Sequence, residues 1–511
     1  MTTPIERIQL LHIADHLRSL GMSIGSEIKA YQQLPEAQRA NLKTYATCLS
    51  QYLKAKTKPI PGQTLLELVC FTPGLMRGLP QPLDCLQENR GGFSPRRLRE
   101  AAGRLEVLSG IVTFYRSLPL PLKEGLVDLA GAIDSTVVSL DSSLAIDNLA
   151  LLQQLIPQLP DDVSSCLVAE YGGLSTTSGQ ELAGWAVGIL EDHTKTSLSE
   201  IAHDIVIYLA CLAESALSGC HMALIDSGHS YPGIVFREAG RKARKRILSL
   251  IRNNASNINQ LLIWLAWIGD KGTRKQFLSW KKHPPRWQSS LHIAPEVYTR
   301  QAGWELTPDG KRRDLYYPKC YTLTRTTDND ITHPQPIEIV TESPSKCGWC
   351  SRTLTVLLDL DLSHQTLSFF DISGTRLRIS TCDVCTCYGT IFTEVDWDGC
   401  SEWSTQNQKP QYLPGDSENW ERLPSRRLVL SKSERGVYNA ADWRIPIFRS
   451  QIGGYPTWIQ DAEYPKCPVC SRRMRFVAQI AREDLEEHGE GAYYMFLCQS
   501  CKVAATSYQQ T

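Results

Sequence analysis

Four Cys-x-x-Cys pairs crowd the last third of the chain, and they come as two sets. Cys347-x-x-Cys350 is answered by Cys382-x-x-Cys385, and Cys467-x-x-Cys470 by Cys498-x-x-Cys501. In each set roughly thirty residues separate two knuckles, enough for a β-hairpin. Four thiolates gathered this way suit a tetrahedral zinc ion. A closed shell of four cysteines suits a structural ion rather than a catalytic one. A redox dithiol is the rival use of one such pair, but two paired pairs in a repeated frame are better explained by metal. Two structural Zn2+ ions are therefore expected.

The sets are copies of each other. CGWCSRTLTVLLDLDL (347–362) aligns without gaps to CPVCSRRMRFVAQIAR (467–482). After the shared Cys-x-x-Cys-Ser-Arg, Leu354, Val356, Leu358 and Leu360 match Met474, Phe476, Ala478 and Ile480. Period-two spacing predicts a strand with one buried face in each copy. Downstream, TRLRISTCDVC (375–385) matches GAYYMFLCQSC (491–501). Cys387 offers a third thiol near the first set, but the alignment favours Cys382 and Cys385. Cys320, Cys387 and Cys400 read as spare thiols.

The chain has 17 cysteines in 511 residues, and the other six lie scattered before residue 221. An odd count, no export signal and large size argue against a disulfide framework. The opening MTTPIERIQLLHIADHLRSLG mixes acids and histidines among apolar positions and is no signal peptide. The apolar runs IVIYLACLA (205–213) and LLIWLAWIG (261–269) fall short of the ~20 residues a membrane span needs. A cytoplasmic protein with no membrane partner is expected.

Helical periodicity dominates up to about residue 290. Examples are segment 5–20, a helix opened by Ser94-Pro95, and SLSEIAHDIVIYLACLAESAL (197–217). Beyond it come short alternating runs rich in aromatics, Pro, Gly, Asn and Asp. The expected fold class is α+β, in three parts. An α-helical domain covers 1–230, and a basic, HEAT-like helical segment covers 231–300. A β-rich domain follows at 301–511, with zinc ribbons at 347–385 and 467–501.

The run Gly453-Gly454-Tyr455-Pro456-Thr457-Trp458-Ile459-Gln460 precedes the Cys467 knuckle, and a Tyr-Tyr-Met-Phe-Leu-Cys strand enters the last one. This arrangement resembles the TYPP domain superfamily. That superfamily includes bacterial YwqG-type proteins and the eukaryotic programmed cell death 2 and 20S-rRNA-accumulation proteins. The resemblance covers about 300–511 and is most specific in 452–504. It implies a zinc-stapled protein-binding module, chaperone-like or immunity-type, and no catalysis. Two departures stand out. Ser351 and Ser471 stand where glycine is frequent, and ITHPQPIEIVTESPSK replaces the Gly-Gly lead-in before Cys347. On this reading Gly453, Gly454, Tyr455, Pro456, Trp458 and Gln460 are candidate partner contacts, with packing against the ribbon the favoured role for Trp458.

Net charge is zero over the chain, yet residues 237–286 hold thirteen Lys or Arg against two acids. Arg241, Lys242, Arg244, Lys245 and Arg246 form the centre of this stripe. They are candidate anion-binding residues, with a solvated helix face as the plain alternative. Acidic runs at 394–403 and 483–490 are either a receptor for a basic client or charged hairpin tips. His221 beside Cys220, and His203 beside Asp204, lack any supporting catalytic frame. No phosphate loop and no His-Glu-x-x-His motif occur.

These readings converge on a non-enzymatic, zinc-stabilised protein that binds a specific protein partner, with no small-molecule substrate. A nucleic-acid-binding protein using the 237–286 stripe is the second expectation. An enzyme with a site between the domains is the third.

Overall fold

The computed structural model describes residues 3–16, 163–192, 198–228, 231–253, 257–326, 335–413, 423–424, 427–486 and 489–510. The helix expected after Ser94-Pro95 lies outside them. The chain divides into two compact units. One comprises Met1–Glu170 and Asp192–His203, the other Tyr171–Glu191 and Asp204–Thr511. The expected boundaries near 230 and 300 both fall inside the second unit.

In the first unit, residues 4–16 form helix α1. Its start is a reciprocal cap. The Thr3 amide donates to the Glu6 carboxylate at 2.7 Å, and the Glu6 amide donates to the Thr3 hydroxyl at 3.2 Å. Ile8, Leu11 and Ile13 are buried, and Arg7 pairs with Glu170 at 3.0 Å.

Helices α2 (Val163–Gly172), α3 (Thr176–Glu191), α4 (Ser199–Leu212) and α5 (His221–Asp226) lead toward the second unit's basic region. There α6 (Arg241–Arg252) buries Ala243, Ile247 and Ile251, one stripe at four-residue spacing, with its bases on the rest of its surface. Helix α7 (Ile258–Ile268) is apolar nearly all round and is buried accordingly. It stops at Gly269, whose φ of 52° only glycine adopts without cost. Helix α8 (Lys271–Lys282) is capped by Asp270, which accepts from the Thr273 amide at 2.8 Å.

Within the second unit, helix α7 packs against the strands that follow. Trp304 sends its indole N–H to the carbonyl of Ala266 at 2.8 Å, and Trp267 lies 5.1 Å from the ring of Tyr455. These contacts cross the change of sequence texture near residue 300, which therefore falls inside one unit.

The strands are β1 (Trp304–Leu306), β2 (Arg312–Asp314), β3 (Cys320–Arg325), β4 (Ile337–Glu338), β5 (Thr341–Lys346), β6 (Thr353–Asp361) and β7 (Arg376–Thr381). Next come β8 (Ile391–Val395), β9 (Ser401–Trp403), β10 (Leu428–Arg435), β11 (Gln451–Gly453), β12 (Arg475–Ala481), β13 (Ala492–Cys498) and β14 (Val503–Gln509). The large sheet has the order β10-β3-β11-β12-β13-β14-β8-β9, and the small one sets β4 and β5 along one side of β6 with β7 on the other. Every pairing in both sheets is antiparallel. One core joins them: Leu358, Leu360, Leu377 and Ile379 of the small sheet pack in the same cluster as Ala478, Ile480, Met495 and Leu497 of the large one.

The duplication extends to register. In the first hairpin Thr355 faces Thr381, Val356 faces Ser380, and Leu358 faces Ile379. In the second, Arg475 faces Leu497, Phe476 faces Phe496, and Ala478 faces Met495. Both skip one residue at the same place, Leu357 or Val477, a β-bulge kept in each copy. The bulge breaks the expected alternation. Thr353 to Val356 do alternate, but beyond Leu357 burial is continuous, and β12 and β13 are buried almost throughout. Strands in the middle of a covered sheet have no wet face to offer.

Candidate metal centre

Each cysteine pair sits on a tight knuckle, and the two leading knuckles share their hydrogen bonds. The Cys347 amide donates to the Arg352 carbonyl at 2.8 Å and the Ser351 amide to the Cys347 carbonyl at 2.9 Å. The Cys467 amide donates to Arg472 at 2.8 Å and the Ser471 amide to Cys467 at 2.9 Å. Closing this turn requires left-handed backbone at its end, and Ser351 and Ser471 have φ of 64° and 58°. The glycine preference noted at this position therefore has a conformational cause.

The hairpins carry the second knuckles back to the first. Cys347, Cys350, Cys382 and Cys385 form one group and Cys467, Cys470, Cys498 and Cys501 another, with all four sulfurs of each group within 4.8 Å of one another. Closest approaches are 3.8 Å for Cys347–Cys385, 3.5 Å for Cys350–Cys382 and 3.7 Å for Cys470–Cys498. A tetrahedron of metal–sulfur bonds near 2.3 Å has edges of about 3.8 Å, so both groups have the size to hold one metal ion. Cys387 is outside the first group: its thiol donates to the Asp383 carbonyl at 3.7 Å.

The electrostatics point the same way. Hydrogen bonds from Cys382 and Cys385 hold the Cys347 thiol far down, while Cys382 and Cys385 are pushed well up, chiefly by their side-chain hydrogen bonds with Cys347. Burial pushes Cys467 up to about 12. Cys470 works against its own desolvation and is held to about 6 by the side chain and amide of Arg472 and by its neighbouring thiols. Four such sulfurs become thiolates together only when a cation shares them. The Trp349 amide donates to the Cys347 sulfur at 3.4 Å, which also favours the thiolate.

The groups differ in their cover. The first has Leu354, Val384 and Ile391 around it, with Trp349 and Trp403 edge to face at 5.4 Å. The second leaves Cys470 and Cys501 half-buried and Val469 64% exposed at the tip of its knuckle.

Most of the stretch before the second group is interior. Gly453, Gly454, Tyr455, Pro456 and Thr457 are all buried, and Tyr455 is 3% exposed. Gly453 and Gly454 have φ of 68° and 70°. A Cβ on the first would lie 2.1 Å from the Lys319 carbonyl oxygen, and on the second 2.6 Å from the Cys320 sulfur. The Tyr455 hydroxyl donates to the Gln301 carbonyl at 2.6 Å. Trp458 stacks on Tyr494 at 4.8 Å. Gln460 is exposed but ties the strand end, donating to the Gln509 side chain and the Gln510 carbonyl at 3.1 and 2.8 Å. Gln479 grips the stretch from below, accepting from the Thr457 amide at 2.8 Å and donating to the Arg449 carbonyl at 2.7 Å. The expected partner contacts at Gly453, Gly454, Tyr455 and Pro456 are thus corrected to a structural clasp, because the close approach to β3 that the glycines permit buries them, and Trp458 takes the packing role.

The basic stripe also narrows. Arg244 pairs with Asp270, and Arg246 pairs with Asp226 at 2.9 Å. Arg241, Lys242 and Lys245 remain exposed. The acidic runs are partly internal. Asp396 accepts from the amides of Asp398 and Cys400 at the β8–β9 turn. Glu483 pairs with Arg449, and Asp484 is buried against the Ser450 amide.

Sequence reasoning passed over Asp359. It is 3% exposed and accepts from Arg376 at 2.6 and 2.8 Å and from Arg378 at 2.7 Å. The signal was present, because an acid in the middle of LTVLLDLDL needs a partner when the strand is buried.

In class, then, the chain is an α+β protein with a duplicated hairpin and a four-cysteine group closing each copy. It belongs to the same family as YpfL of Salmonella typhimurium strain LT2, a protein described as uncharacterised. The two are 35% identical over 346 residues, spanning 67% of this chain and 79% of YpfL. No family model and no solved structure matches the chain. No helix among the described residues is long and apolar enough to cross a membrane.

Proposed function

We propose that the protein is a zinc-stapled protein-binding factor. Its two ions fix a rigid scaffold and take no part in chemistry. One observation carries the reading: each group is a closed set of four thiols, repeated with the same register, so that a tetrahedral ion in it has no position left for water or substrate. The thiol-only donor set favours zinc over harder cations. In this reading the two hairpins are zinc ribbons, and the resemblance to the TYPP superfamily supports a chaperone-like or immunity-type role toward one protein client. Structural zinc contributes ~10–16 kcal/mol in small peptides, enough to decide whether such hairpins fold.

The test is metal analysis of the purified full chain, joined to affinity purification with quantitative stoichiometry. Two zinc ions per chain and one protein recovered in stoichiometric amount are expected. Substoichiometric zinc in a fully folded chain overturns the stapling. Repeated recovery of no stoichiometric protein overturns the partner role.

A further inference from the structure

Large apolar side chains stand out from the described surface at few places, and two of them flank one arginine. Tyr231 and Trp443 are each 56% exposed, and Phe448 is 42% exposed. Arg444 lies between the first two, its guanidinium 5.7 Å from the Tyr231 ring and 5.8 Å from the Trp443 ring. The loop that carries Trp443, Arg444 and Phe448 is pinned. Arg449 donates to the Trp443 carbonyl at 2.6 Å, Arg435 to the Phe448 carbonyl at 2.7 Å, and Tyr208 to the Arg444 carbonyl at 3.2 Å. The Arg444 amide is held by Asp442 at 3.0 Å.

Arg444 itself is electrostatically unfinished. Its Nη1 is buried and has no hydrogen-bond partner, whereas neighbouring Arg449 is neutralised by Glu483. The rest of this half-buried guanidinium sits between two exposed rings, a setting in which a carboxylate takes charge-assisted hydrogen bonds. Tyr, Trp and Arg together are the residues that dominate protein–protein binding energy. A nucleic-acid strand fits less well, because phosphate-dominated binding draws on many cations and this surface sets one guanidinium between its rings.

We propose that the Tyr231–Arg444–Trp443 surface, extended by Phe448, is the client-docking site, and that it takes a protein segment presenting a carboxylate beside an apolar side chain. The site rests on the protein-binding reading above. Pre-pinned aromatics lose little freedom on binding, which favours such a use.

The experiment pans a random twelve-residue peptide library on the intact chain, then measures the selected peptides against W443A, R444M and R444K. The expected result is enrichment of Asp or Glu next to an apolar residue. Binding should weaken about tenfold or more in W443A and R444M and recover in part in R444K. Trp443 is exposed, so W443A should keep the parent's melting curve. Selected peptides that bind all three variants unchanged overturn the site while leaving the protein-binding reading intact. Selection without acidic enrichment, or no selection at all, overturns the proposed chemistry. Tight binding of a twenty-nucleotide oligothymidine that W443A abolishes assigns the surface to nucleic acid instead.

Discussion

Ser351 and Ser471 hold the same place in the two copies, and both are in the left-handed region, with φ of 64° and 58°. Each follows a cysteine whose knuckle it closes. A residue with a Cβ costs ~1–2 kcal/mol there, and glycine repays part of that through greater unfolded-state freedom. S471G is expected to match or slightly exceed the parent in denaturant midpoint. S471V, branched at Cβ, should lose about 1–3 kcal/mol. Equal midpoints for the two variants would contradict the conformational account.

Removing one ligand should separate the two groups. C470S is expected to lower the metal content from two ions per chain to one and to lower the melting temperature. The better covered first group should keep its ion. Because Cys470 and Cys501 are half-buried, a chelator should also strip the second ion first from the unmodified chain. Metal analysis during chelation measures that order.

Gly453 has no room for a methyl group, with the Lys319 carbonyl 2.1 Å from where a Cβ would stand. G453A should cost about 3 kcal/mol or more through backbone strain and the clash together. A urea titration with a loss under about 1 kcal/mol would remove the clasp from the account.

Asp359 anchors two guanidiniums on the small sheet. D359N keeps the shape and removes the charge, so about 1–3 kcal/mol of stability should go. The arginine side chains are 42% and 37% exposed, which keeps the loss below that of a fully buried pair. The measurement is the urea midpoint of D359N beside the parent at one salt concentration.

His221 is lowered from 6.5 by burial, with the Val235 backbone opposing in part. Its pKa is lower folded than unfolded, so below about 6.5 the unfolded chain binds the extra proton. Stability should therefore fall as pH drops through that value. H221N should lose this part of the pH dependence. Urea midpoints of both proteins at pH 7.5 and 5.5 check it.

What could be read beforehand was what short-range chemistry dictates. The eight cysteines declare their grouping by spacing, and the copies declare themselves by Leu354, Val356, Leu358 and Leu360 against Met474, Phe476, Ala478 and Ile480. Long-range pairing was not legible. Nothing local in IFTEV (391–395) says that it joins β14, and nothing in LLIWLAWI says that Trp267 will meet Tyr455. The stretch around Tyr455 was open to two readings for a related reason. Aromatics beside glycines suit both a binding loop and a buried clasp, and only the approach of Lys319 and Cys320 decides. The charges of Arg244 and Arg246 likewise looked free because Asp270 and Asp226 are distant in sequence.

The position of β14 between β13 and β8 has a consequence for the order of synthesis. Strands β8 and β9 follow the first copy in sequence, yet their neighbour in the sheet is the strand that follows the second. They must wait while roughly a hundred further residues leave the ribosome before that edge is covered. The first copy can gather its own four cysteines early, but the sheet closes only when Val503–Gln509 arrives. A ribosome stalled before residue 467 would hold a chain with one complete set of four cysteines and an open strand edge.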